Sequence, residues 1–121
     1  MMEKHSWDLE AAVQRLLKFR DDRDWKQFHR PKELAAAISI EAAELQELFL
    51  WKESETGEQV LKDAARLKKI RDEISDILIF VLLLAHDLEI DLQDNVNTKI
   101  EANEARYSVK EHKGVAKKAK H

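Results

Sequence analysis

Apolar residues recur at three- and four-residue intervals along most of the chain, and four helical segments follow from that period and the residues that interrupt it. The first is expected from Trp7 to Asp22, with Ser6 as N-cap and Leu9, Val13, Leu16, Leu17 and Phe19 supplying most of an apolar face. "DDRDWKQFHRP" breaks the pattern, and Pro31 is placed to open a second helix that runs to about Lys52, with Leu34, Ile38, Leu45 and Leu48 on one stripe. "ESETGEQ" around Gly57 reads as a turn, and a third helix is expected from about Val60 to Leu88. Between Ile74 and Ala85 it is apolar nearly all round, the pattern of a helix contacted on every side. "EIDLQD" ends it, and Asp91, with Asp94 three residues on, has the form of a cap for a fourth helix ending near Tyr107.

Composition sharpens this to an all-α fold. Two Gly and one Pro in 121 residues leave little material for the tight turns of sheets, and the length suits one domain with a core. The expected architecture is a four-helix bundle-type subunit over residues 1–107, followed by a basic, mobile tail over 108–121. The apolar third helix and surplus aromatics predict self-association. With no cysteine, disulfides, thiolate zinc sites and cysteine nucleophiles are all excluded. A net charge of -3 gives no general attraction to nucleic acid. The amino-terminal "MMEKHSWDLE" lacks the apolar segment of a secretory signal, and the run from Ile77 to Ala85 is too short to span a bilayer. A cytoplasmic protein with no membrane or nucleic-acid partner is therefore expected.

Against this pattern, carboxylates fall where apolar residues belong. At about 100° per residue, Glu41 lies roughly 20° from Leu34, inside the apolar stripe of the second helix, and Glu44 roughly 80° away, at its edge. On the third helix, Glu73 and Asp76 share a side with Phe80 and Leu84. Such i, i+3 pairs on two antiparallel helices can converge four carboxylates on one point. Unneutralised, they would repel one another and resist burial. Buried Arg or Lys could neutralise them, as could a divalent ion; all-oxygen donors favour Mg²⁺, with Mn²⁺ as substitute. A di-iron centre would call for Glu-x-x-His, whereas Glu44 and Asp76 occupy the third positions. Two solvated acidic faces account for the same spacing.

Taken together, E-x-x-E at Glu41 and Glu44 and E-x-x-D at Glu73 and Asp76 resemble the signature of the all-α nucleoside triphosphate pyrophosphohydrolases, the MazG-like superfamily. "RDWKQFHRPKELAAAISIEAAELQELFLWK" and "EISDILIFVLLLA" are similar to its dCTP pyrophosphatase branch, and "KIEANEARY" resembles the K-x-x-x-N-x-x-R-Y element of its last helix. The resemblance spans about Phe19 to Tyr107. It implies Mg²⁺-dependent hydrolysis of a dNTP, dCTP or a modified dCTP ahead of others, to dNMP and pyrophosphate, as house-cleaning of the nucleotide pool. It also implies a dimer or tetramer with the site near a subunit interface. Glu41, Glu44, Glu73 and Asp76 would be the metal ligands, with Glu41 or Glu44 also activating the water. Trp25, Trp51, Phe28 and His29 would line the base and sugar pocket. Lys99, Asn103 and Arg106, within about 60° of one another on a helix, would contact phosphate, with Tyr107 beside them; spacing alone favours a solvated face. One departure is Phe80, where some relatives carry Tyr and hence a hydroxyl near the substrate. The opposing reading is a non-catalytic helical interaction module, its carboxylates serving as salt-bridge partners.

Overall fold

The computed structural model describes residues 6–116, so the first five residues of the amino-terminal stretch and the last five of the basic tail lie outside it. Among the described residues six helices follow one another: α1 (Leu9–Asp22), α2 (Pro31–Glu47), α3 (Gly57–Leu61), α4 (Ala64–Asp87), α5 (Leu92–Arg106) and α6 (Val109–His112), with a 3₁₀ turn over Lys26–Phe28. There is no strand among the described residues, so the fold is all-α. None of these helices is long and apolar enough to cross a membrane. The chain divides after Leu88 into two compact units, α1 to α4 and α5 with α6.

Local chemistry sets the helix boundaries, and several differ from those the periodicity predicts. Asp8, not Ser6, caps α1, accepting from the Ala11 N–H at 3.0 Å, so the helix starts at Leu9. A carboxylate there accepts an orphan N–H and also meets the positive end of the helix dipole. Pro31 opens α2 as expected, but the helix stops at Glu47, five residues before Lys52. From there Phe49 and Leu50 bond back to Gln46 and Glu47 in tighter turns, and Trp51 adopts a left-handed φ of 65°. The predicted third helix is two helices. Thr56 and Gln59 form a capping box that starts α3, and Asp63 then caps α4 through the Arg66 N–H at 3.1 Å. Aspartate competes with the helical backbone for hydrogen bonds, so a new helix begins where the apolar period ran on. Asp91 caps α5 as expected. Ser108 caps α6, a short helix within the segment expected as a basic, mobile tail.

Within the first unit, α2 and α4 form the main contact, with α1 and α3 also packed on α4. Arg66 reaches Leu48, a carboxylate oxygen of Glu73 lies near one of Glu41, and Phe80 meets His29. As the position on α4 rises that on α2 falls, so the two helices are antiparallel. Leu34, 1% exposed, anchors the core with Ile70, Leu82, Leu83 and Ala85. Contrary to the expectation of a helix covered on every side, the middle of α4 leaves Ile74 and Leu78 exposed, and Ile40 of α2 is exposed too.

Candidate functional site

The antiparallel crossing of α2 and α4 brings together side chains far apart in the chain. One carboxylate oxygen from each of Glu41, Glu73 and Asp76 lies within 4.8 Å of the other two. Glu41 and Glu73 are half-buried, while Asp76 and Glu44 are exposed. Glu44 stands outside that threesome but interacts with both Glu41 and Glu73. All four carboxylates named from the sequence thus occupy one locality: three converge and the fourth flanks them.

Electrostatics at this locality is unfavourable as it stands. The Glu41 carboxyl is raised above its usual range, first by its hydrogen bond to Glu73, then by burial and by the charges of Glu73 and Asp76. Glu44 is raised as well, first by its hydrogen bond to Glu41 and then by that group's charge. Glu73 Oε2 is buried without a hydrogen-bond partner. Among the described residues no Lys or Arg pairs with any of the four. Cationic side chains therefore do not neutralise the cluster, and a divalent cation fits its donor set: hard oxygens, three of them convergent, one buried and unsatisfied.

Beside the carboxylates runs a line of rings. Phe19 meets Trp25 edge-on at 5.6 Å, Trp25 meets His29 at 6.2 Å, and His29 meets Phe80 at 6.3 Å, one turn beyond Asp76. His29 is half-buried, with Nδ1 lacking a partner. Phe28, by contrast, points outward and joins no ring. Trp51 lies beyond the opposite end of α2 and is 93% exposed. Since α2 has 17 residues and spans about 25 Å, Trp25 and Trp51 of one chain are not brought together.

In the second unit Lys99 is exposed on α5, while Asn103 and Arg106 are half-buried. Arg106 Nε and Nη2 are buried without partners, and its guanidinium lies 5.6 Å from the Tyr107 ring centroid. Tyr107 in turn meets His112 edge-on at 5.1 Å.

Two contacts escaped the reading of the sequence. Arg20, 3% exposed, donates from both Nη atoms to Asp87. Both residues fall on apolar stripes, Arg20 with Val13, Leu16 and Leu17 and Asp87 with Phe80 and Leu84, so the inward-charge criterion that found the carboxylates would have found this pair. Arg66 gathers the loop after α2, which no spacing rule foretells.

The MazG-like family profile matches residues 36–121, which include both carboxylate pairs. The chain belongs to the MazG-like family. Among curated relatives, dCTP pyrophosphatase 1 of Rattus norvegicus is 39% identical over 99 residues, covering 81% of this chain and 58% of that protein. The Homo sapiens dCTP pyrophosphatase 1 is 40% identical over 90 residues, 74% of this chain and 52% of that one. The chain thus spans little more than half the length of these relatives. A crystal structure of a pyrophosphatase from Archaeoglobus fulgidus superimposes with a TM-score of 0.73 at 37% identity, covering 89% of this chain and 99% of that one.

Proposed function

We propose that this protein is a Mg²⁺-dependent nucleoside triphosphate pyrophosphohydrolase that adds water across the α–β anhydride of a dNTP, releasing dNMP and pyrophosphate. The convergence of Glu41, Glu73 and Asp76 without a cationic partner carries this reading. The substrate of first choice is dCTP or a modified dCTP, a preference supported by the two dCTP pyrophosphatases it resembles over most of its length. The role that follows is house-cleaning of the nucleotide pool.

Glu41, Glu73 and Asp76 would hold the cation, Mg²⁺ or in its place Mn²⁺. A divalent cation supplies neutralisation of the polyphosphate and of the charge gathering on the departing pyrophosphate. Glu44, outside the convergent three and with a carboxyl raised by Glu41, is the better placed of the two candidate bases: it orients the attacking water and takes its proton. Lys99, Asn103 and Arg106 offer donors for phosphate oxygens, Arg106 through nitrogens that have no other partner, with Tyr107 supporting the guanidinium. Trp25 and His29 present ring faces and edges to the base and sugar, and Phe28 is assigned to the rim of the same pocket. Trp51 cannot reach that pocket across the length of α2, so it serves the site of a second copy. The exposed Ile40, Ile74 and Leu78 supply an apolar surface for such a dimer or tetramer.

A panel of nucleotides incubated with Mg²⁺ tests the reading. It expects pyrophosphate and dNMP, fastest from dCTP or its modified forms. Orthophosphate as the product, or unimpaired turnover after both Glu41→Gln and Glu73→Gln, would overturn it.

A further inference from the structure

We propose that Arg66 is a positioning residue that fixes the loop after α2 so that Trp51 is held outward as a ready-made stacking face for the nucleobase. The inference rests on the functional reading above. Trp51 is 93% exposed, with a left-handed φ of 65°, and Ser54 three residues on is left-handed too at 56°. A bulky side chain adopts that conformation only where its surroundings impose it. Arg66, at the start of α4, supplies the constraint from both ends of the loop. Nη1 donates to the Leu48 carbonyl at 3.2 Å, before Trp51, and Nη2 donates to the Glu55 carboxylate, after it. Nε lies 3.6 Å from the Asp63 carboxylate, and the guanidinium carbon is 5.7 Å from the Phe49 ring centroid. The Arg66 and Glu55 side chains are largely buried in doing so. Only a planar fork can serve a carbonyl, a carboxylate and a ring face at once; lysine offers a point charge. No described residue covers the indole that this latch presents, which leaves it open to the site of a second copy. A nucleobase that stacks there finds its platform already ordered and pays no loop-ordering entropy.

The test is a cycle of Arg66→Lys and Trp51→Ala, singly and together, assayed with dCTP and Mg²⁺, alongside amide hydrogen exchange over residues 49–54. Trp51→Ala is expected to raise KM by about tenfold, the scale of a lost base–aromatic stack. Arg66→Lys is expected to raise KM several-fold with kcat retained, to speed exchange in the loop, and to add nothing to KM once Trp51 is gone. Glu55→Gln should act in the same direction with a smaller effect. A KM for Arg66→Lys equal to that of the unaltered protein, or an equal further loss in the Trp51→Ala background, would overturn the positioning role while leaving the functional reading intact. An unchanged KM in Trp51→Ala would remove Trp51 from the site and the proposal with it. Absence of turnover on every nucleotide would defeat the functional reading first, and the exchange measurement would then show a latch without a substrate to serve.

Discussion

Arg20 and Asp87 form a bidentate ion pair, 2.9 and 3.2 Å long, that ties the last turn of α1 to the last turn of α4. Both charges lie on apolar faces, and Arg20 is almost wholly enclosed. Such a pair adds little over an apolar substitute, but removal of one member strands the other. Asp87→Ala should therefore cost about 3–5 kcal/mol in urea unfolding, and Arg20→Met with Asp87→Leu together should cost much less than that. A loss in the double variant equal to the sum of the two single losses would show that the charges are not coupled.

The core around Leu34 is small, so its loss is felt in full. Leu34→Ala should destabilise the protein by about 2–5 kcal/mol, read from the same unfolding curves with the slope unchanged. Removing the α1 cap by Asp8→Ala should cost about 1 kcal/mol.

The crowded carboxylates set a pH dependence. Glu41 and Glu44 are raised in the folded protein, so folding favours their protonated forms. Their contribution to stability is full below the ordinary carboxylate range and is lost as pH rises through the raised values. Without metal, melting temperature relative to the Glu41→Gln, Glu44→Gln variant should fall as pH rises above the ordinary carboxylate range. Mg²⁺ should reverse the loss, giving a larger thermal shift near neutrality than in acid, because protons and cation compete for the same oxygens. A shift equal at both pH values would count against a carboxylate site.

Ligand and base should separate by substitution. Glu73→Gln is expected to abolish both the Mg²⁺-induced thermal shift and turnover. Glu44→Gln should keep most of the shift and lose about 10²–10⁴-fold in kcat, the usual worth of a positioned base. Loss of the shift in Glu44→Gln would make it a ligand.

Self-association should depend on the exposed apolar residues of α2 and α4. In the proposed dimer or tetramer, Leu78→Glu, with Ile74→Glu as a second variant, should give a monomer in sedimentation velocity and raise KM for dCTP, since the proposed role of Trp51 needs a second copy. An unaltered oligomer would place the interface elsewhere.

How much of this could be read from the residues follows from the range over which each rule acts. Helical period and burial of apolar residues act over a few positions, so the all-α fold, α2 opening at Pro31, the Asp91 cap and the inward set of Glu41 and Glu73 are all legible in the chain. Each depends only on angle around one helix. The boundary at Asp63 and the early end of α2 were not legible, because side-chain caps and a distant guanidinium there outweigh a periodic pattern that continues unbroken. What tertiary structure alone decided is which side chains meet. Antiparallel crossing of α2 and α4 joins Glu41 to Glu73 and Asp76 and sets His29 against Phe80. Sequence fixes the direction in which a side chain leaves its own helix, whereas distance between helices depends on how their faces interlock, and that is a property of the whole packed unit.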